Sequence, residues 1–181
     1  VDSAAHKACL AAGGKTVAVQ GCGICKTFPP ENIELKELIA ANGAVISEFV
    51  PDAEARSSFF PIRNRIVSGM SLGVCVVEAA ARSGTSITAN LAFDQGRKVF
   101  AVPADVNRTT SQGTFRLLRS GAIPVADAKD ILTEFGEEYI SHLSLDKIQK
   151  RKTEKNPEAK NERPEKAPKL TKKAPPPGLS K

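Results

Sequence analysis

The sequence predicts an α/β protein with a doubly wound, mostly parallel sheet and helices on both faces. Short apolar runs alternate with segments of helical character along residues 2–134, and the connections between them are short. This alternation is typical of parallel strands joined by helices. Aromatic residues make up only 5% of the chain and tryptophan is absent, so we expect a core of Val, Ile, Leu and Ala.

The individual elements follow from local patterns. The expected strands are the short apolar runs at residues 16–20, 44–47, 74–77, 98–102 and 123–125. The expected helices end at Ala12, Asn42, Gly69 or Ser71, Leu91, Ser120 and Glu134. A glycine pair terminates the first helix and Asn-Gly the second. Ser111 and Asp127 are expected to cap the last two helices.

The rest of the chain is organised around residues 59–91. An aromatic and rigid Phe-Phe-Pro segment leads into a short helix that opens at Arg63. The apolar run at residues 74–77 is typical of a strand that is buried on both faces. The small-residue turn at residues 82–86 then leads into a helix. Free N–H groups, hydroxyls and the helix dipole converge at such a turn and favour an anion.

This stretch is predicted to bind the phosphate backbone of nucleic acid. Ligands of parallel sheets sit outside the carboxyl ends of the strands, where the turns at residues 21–23, 83–86 and 103–105 fall. The candidate contacts are basic residues and small turn residues: Lys7, Gly21, Gly23, Arg63, Arg65, Arg82, Ser83, Gly84, Thr85 and Ser86.

The two arginines of the short helix have alternative roles. Arg63 shares an inward-facing stripe with Ile66 three residues later, so it either points into a cleft or forms a structural ion pair with Glu78. Arg65 lies about 200° further round the helix. The two therefore cannot line one wall; they either grip successive phosphates or one of them is solvated.

The two turns are also ambiguous by themselves. Ser83 or Thr85 could simply cap the helix that follows, since capping and phosphate binding use the same N–H donors. The Gly21-x-Gly23 turn lacks the third glycine of the dinucleotide-binding fingerprint. Neither turn identifies the ligand alone.

The sequence shows no catalytic apparatus, and we expect neither enzymatic activity nor a cofactor. It contains no Ser/His/Asp set, no paired carboxylates and no H-E-x-x-H motif; His6 and His142 are its only histidines. The pair Cys22-x-x-Cys25 is a weak signal for zinc or redox chemistry, and reduced thiols are expected instead. There is no apolar run of about 18 residues and no signal peptide, so we expect a cytoplasmic protein that does not bind membranes.

The charge divides the chain into two parts. Residues 147–181 contain 12 Lys and Arg against 4 Glu, a net charge of +8, whereas the whole chain carries +6, which leaves −2 for residues 1–146. We therefore expect a folded domain at residues 1–145 and a disordered, basic tail or interdomain linker at residues 146–181. The chain opens almost directly on a helix without an initiator Met, which we interpret as an internal fragment.

Several ordered motifs resemble the DNA-processing protein A family (DprA, also called Smf), and they span residues 1 to about 134. The matching segments are Asp2-Ser-Ala-Ala-His-Lys7, Gly21-Cys-Gly23, Pro29-Pro-Glu-Asn32, Phe60-Pro-Ile-Arg-Asn-Arg-Ile-Val-Ser-Gly-Met-Ser71, Val76-Val-Glu-Ala79, Ser83-Gly-Thr-Ser-Ile-Thr-Ala89, Gly96-Arg-Lys-Val-Phe-Ala-Val-Pro103, Ser111-x-Gly113 and Gly121-Ala122.

The resemblance implies a Rossmann-like domain that binds single-stranded DNA, forms a homodimer and helps load the RecA recombinase during natural transformation. It implies no enzymatic activity. In the family, the basic residue before the Ser-Gly turn and the turn itself contact DNA, which here are Arg82 and residues 83–86. The alternative is a related Rossmann-like hydrolase of nucleoside monophosphates. Those enzymes need a P-G-G-x-G-T turn and a glutamate on the next helix, and this sequence lacks both.

The chain departs from the family pattern in three respects, and it ends before a domain that is common in the family. The family's first strand and its Gly-Ser-Arg turn would precede Val1, and its common C-terminal winged-helix domain would begin just past Lys181. Ser86 stands where a large apolar residue is usual, which removes a possible base-stacking contact. Ala104 stands where a glycine usually follows Val-Pro.

Overall fold

The computed structural model describes residues 1–81, 83–105 and 107–136. Arg82 and the predicted tail at residues 146–181 lie outside the described residues, as does the predicted domain boundary at residue 145.

Helices and strands alternate throughout the described part of the chain. The helices are α1 (Asp2–Ala11), α2 (Ile33–Asn42), α3 (Phe59–Gly69), α4 (Gly84–Asp94), α5 (Gln112–Arg119) and α6 (Ala128–Thr133). The strands are β1 (Val17–Val19), β2 (Ala44–Ile46), β3 (Gly73–Val76), β4 (Lys98–Ala101) and β5 (Ile123–Pro124). Short 3₁₀ turns at Pro30–Asn32 and Thr109–Ser111 precede α2 and α5.

All described strand pairs are parallel, which confirms the predicted fold class. β1 pairs with β2, with Val17 opposite Ala44, and β4 lies between β3 and β5. The described strands thus form two sheets, one of two strands and one of three, where the sequence predicted one sheet. The carboxyl ends of the strands still carry the turns on which the site prediction depends.

The helix that leads into the central stretch begins earlier than predicted. α3 starts at Phe59, so the aromatic segment forms its first turn. A proline is compatible with the first turn of a helix because the N–H that it lacks has no intrahelical partner there. Phe59 stacks on Phe49 with ring centroids 4.0 Å apart and an interplanar angle of 10°.

The core is aliphatic, as predicted, apart from one central aromatic ring. Its main cluster consists of small and medium-sized side chains of β3, β4, α4 and α5 and their flanks: Val76, Ala79, Ala89, Ala92, Val99, Ala101, Leu117 and Ala122. Phe100 of β4 is also fully buried. Its ring packs so closely on Gly73 that a Cβ there would lie only 2.8 Å from it.

The predicted cap of the last helix is confirmed. The Asp127 carboxylate accepts a hydrogen bond from the Lys129 amide at 2.7 Å, and Asp130 returns one by accepting from the Asp127 amide. Backbone hydrogen bonds from Ala126 and Asp127 hold the pKa of the Asp130 carboxyl below its usual value. Within the described ranges, no helix has both the length and the apolar character needed to cross a membrane.

Candidate nucleic-acid interface

The turn at the start of α4, residues 83–86, has the form of a capped helix N-terminus, and we call it the Ser83 turn. The Ser83 hydroxyl accepts a hydrogen bond from the Thr85 amide at 3.0 Å, and its carbonyl accepts one from the Ser86 amide at 3.1 Å. The capping role considered for Ser83 is therefore present. The first turn of α4 contains no acidic residue.

Capping leaves one part of the Ser83 turn open. A Cβ built on Gly84 would meet no atom within 4 Å, and the Gly84 amide has no hydrogen-bond partner among the described residues. A free N–H group at a helix N-terminus, in a first turn without acidic residues, is a favourable position for an anion.

The loop between β3 and the Ser83 turn is held in place by α5. The Ala79 amide donates to the Thr110 carbonyl at 3.1 Å, and the Gly113 amide donates to the Ala79 carbonyl at 2.8 Å. Gly113 packs so closely that a Cβ there would lie 2.6 Å from the Ala80 carbonyl oxygen. On the same helix, the Arg116 guanidinium donates to the Ala81 carbonyl at 3.0 Å.

The turn after β1, residues 21–23, is built differently, and we call it the glycine turn. All three of its residues are buried. A Cβ on Gly21 would lie 2.9 Å from the ring of Phe60, and one on Gly23 would lie 2.2 Å from the Val50 carbonyl oxygen. The Gly23 amide donates to the Ala53 carbonyl at 2.8 Å, so this donor is not available to a phosphate. Both glycines serve close backbone packing.

Arg63 does not form the ion pair with Glu78 that was one of its two predicted roles. Its guanidinium donates to the Val19 carbonyl at the end of β1 and, at 3.0 Å, to the Asn64 side chain, whereas Glu78 is exposed. The guanidinium carbon also lies 5.7 Å from the centroid of the Phe60 ring. Burial lowers the pKa of Arg63, and the nearby Asp2 carboxylate opposes that shift. Arg63 thus joins α3 to the end of β1.

The remaining described candidates lie on the surface. Arg65 pairs with Glu48 at 2.5 Å, and both side chains are about half exposed, at 51% and 43%. Its charge is therefore already partly balanced. Lys7 is exposed on α1. Arg82, the basic residue beside the Ser83 turn, lies outside the described residues. Arg116 was not among the residues that the sequence analysis predicted to bind DNA. The signal that could have indicated it is that the predicted helix ending at Ser120 contains arginines but no acidic residue.

The four described cysteines form neither a disulfide nor a metal site. None of the four described thiols is in a disulfide, and the described ranges contain no group of His, Cys, Asp and Glu suited to a metal ion. Burial raises the pKa of the Cys22 thiol, an effect that the Lys36 ammonium opposes, and burial alone raises the pKa of Cys75. Neither thiol has the lowered pKa that is typical of reactive cysteines.

A family model described as DNA recombination-mediator protein A matches residues 1–136. The chain belongs to this family. The resemblance found in the motifs is thereby confirmed. The match covers every described helix and strand, including the Ser83 turn and the glycine turn.

Curated relatives of the recombination-mediator family cover the same part of the chain. DNA processing protein DprA of Streptococcus pneumoniae is 42% identical over 135 residues, which are 75% of this chain and 48% of that protein. Protein Smf of Escherichia coli is 42% identical over 143 residues, which are 77% of this chain and 38% of Smf. The chain therefore spans about half of the length of the first relative and less than half of the length of the second.

Two solved structures of the family share the fold. DNA processing protein A of Streptococcus pneumoniae has a TM-score of 0.69 and 40% identity, over 75% of this chain and 48% of that one. The Helicobacter pylori protein has a TM-score of 0.60 and 28% identity, over 67% of this chain and 58% of that one. The latter structure was described for its single-stranded DNA binding mode.

Proposed function

We propose that this chain binds single-stranded DNA at the Ser83 turn and helps load a RecA-type recombinase onto the strand. The observation that carries the proposal is the Gly84 amide, which has no hydrogen-bond partner among the described residues and lies at a helix N-terminus whose first turn contains no acidic residue. The single-stranded DNA binding mode described for the Helicobacter pylori relative supports it.

We assign the phosphate contacts to Arg82, Ser83, Gly84, Thr85 and Ser86. Backbone and hydroxyl donors at a helix N-terminus bind a phosphate without reading a base, so little sequence preference is expected. Arg63 has a supporting role in this proposal, because its guanidinium already binds the Val19 carbonyl and so joins α3 to the end of β1.

The partners follow from the family and remain part of the proposal. The names of the relatives indicate DNA processing and recombination mediation. We propose that the protein acts in the cytoplasm as a homodimer, protects DNA taken up in natural transformation, and hands it to the recombinase.

No observation favours the alternative of a nucleoside monophosphate hydrolase. That chemistry needs an acid on the helix after the turn, and the only acidic residue of α4 is Asp94 at its last position. Incubation with nucleoside monophosphates should release no base, and release of base would overturn the non-enzymatic proposal.

DNA binding is tested by fluorescence anisotropy with a labelled single strand and a duplex of the same sequence. If about three phosphates are neutralised, log K should fall with log salt at a slope of about −2. Arg82→Ala should weaken binding to the single strand. A salt-independent affinity, or tighter binding of the duplex, would contradict the proposal.

Recombinase loading is tested separately on a strand already coated with single-strand-binding protein. Addition of this chain should shorten the lag before the recombinase hydrolyses ATP on that strand. An unchanged lag, with DNA binding intact, would remove the loading role and leave the DNA-binding role in place.

A further inference from the structure

Helix α5 presents two faces of different character. Gly113, Thr114 and Leu117 are buried against the core, whereas Arg116 and Arg119 are exposed. Residues three apart lie on the same side of a helix, so the two arginines form one stripe. The helix contains no acidic residue.

This stripe begins beside the loop that leads into the Ser83 turn. Arg116 donates to the Ala81 carbonyl, two residues before Ser83. The amide of Gly113 is bonded to Ala79 of the same loop, which fixes the start of α5 beside it. A strand lying on the Ser83 turn therefore has basic side chains next to it on a rigid support.

The charge of the stripe is not balanced by neighbouring acids. Ion pairs hold other basic side chains of the described chain: Lys26 with Glu54, Arg65 with Glu48, and Lys98 with Glu134. Within the described ranges neither Arg116 nor Arg119 takes part in such a pair. Because residues 1–146 carry a net charge of −2, the stripe is a local feature of an otherwise acidic body.

We propose that Arg116 and Arg119 extend the phosphate site into a track, so that a single strand bound at the Ser83 turn continues along α5. The track binds the polyanionic backbone, and its guanidinium groups suit phosphate oxygens. This inference rests on the proposed function, since the strand enters the track from the Ser83 turn.

Basic residues in the last turn of a helix also stabilise the helix through its dipole. That alternative predicts an effect on stability alone. The Arg119 side chain makes no hydrogen bond or ion pair with the described residues, so it separates the two explanations better than Arg116 does. Thermal melting therefore accompanies every binding measurement.

The experiment measures the affinity of the full chain for labelled oligothymidylates of about four and about twelve nucleotides at several salt concentrations. Arg119→Gln should weaken binding of the longer strand about fivefold and make its salt slope shallower by about 0.7, the value of one lost phosphate contact. Binding of the shorter strand, which occupies the Ser83 turn alone, should not change. Arg116→Gln should weaken binding of the longer strand as well.

Lys15→Gln is the matched control. Lys15 is exposed, its loss changes the net charge equally, and it lies just before β1, away from the carboxyl ends of the strands. The basic tail is present in all variants, so its contribution cancels. If the Arg119→Gln and Lys15→Gln variants bind the longer strand with equal affinity, the proposed track is wrong. It is also wrong if Arg119→Gln weakens the binding of both strands equally. If the unaltered chain binds neither strand, the proposed function itself fails.

Discussion

The glycine turn and the Ser83 turn both follow a parallel strand and both have an arginine beside them, yet they use their polar groups in opposite ways. In the glycine turn, all three residues are buried and the Gly23 amide donates to the Ala53 carbonyl, while Arg63 of α3 donates to the Val19 carbonyl just before the turn. In the Ser83 turn, the Thr85 and Ser86 amides are bonded to Ser83, but the Gly84 amide has no hydrogen-bond partner among the described residues. A strand end followed by small residues can bind an anion only where its donors are left free.

The largest expected effect is on stability at the glycine turn. Gly23→Ala places a Cβ 2.1 Å from the Pro51 carbonyl oxygen, so the backbone must move. We expect a loss of about 3 kcal/mol or more in the free energy of unfolding, measured by urea denaturation.

Gly84→Ala is the matched control for that substitution. The new Cβ would meet no described atom within 4 Å, and Gly84 lies at the first position of α4. The substitution should therefore raise the free energy of unfolding, by at most about 1 kcal/mol. Equal losses for the two variants would mean that the two turns do not differ as described.

Arg63→Ala should have the next largest effect. Removal of the guanidinium leaves the carbonyl of the buried residue Val19 without its charged partner, and we expect a loss of about 2 kcal/mol. Affinity for single-stranded DNA, corrected for the folded fraction, should stay within about twofold of the unaltered value. A stable variant that no longer binds DNA would instead make Arg63 a direct contact.

Arg65→Ala should have the smallest effect. The Arg65–Glu48 pair is half exposed, and exposed pairs contribute between zero and about 1 kcal/mol. The melting temperature should therefore barely change, and Glu48→Gln should behave in the same way. A large loss on either substitution would show that this pair supports the packing of α3.

Local features of the sequence predicted the elements of the structure, although the Ser111 side chain makes no capping hydrogen bond at the start of α5. The alternation of apolar runs and helical segments predicted the parallel pairing, and Asp127 was predicted as the cap of the last helix, where the structure adds Asp130 to form a capping box. Each of these features depends on residues a few positions apart. The turn before α4 was predicted for the same reason, since Ser83 caps the helix that it begins.

Contacts between distant residues were not predictable in this way. The acceptor of Arg63 is the carbonyl of Val19, and every residue has a carbonyl, so no side chain in the sequence indicates it. Glu78 looked like a better partner only because it is charged. Likewise, the contact of Gly113 with Ala80 depends on how α5 meets the loop after β3.

The central claim, that the Ser83 turn binds phosphate, is tested most directly by Gly84→Asp. The new side chain has space, and a carboxylate in the first turn of a helix is stabilising, so the melting temperature should be unchanged or slightly higher. Affinity for a single strand should nevertheless fall roughly tenfold or more, because the carboxylate repels the phosphate that the turn would bind. Gly84→Asn, which is nearly identical in shape but neutral, should lose far less. If the Asp and Asn variants bind the strand equally well, the phosphate does not lie on this turn.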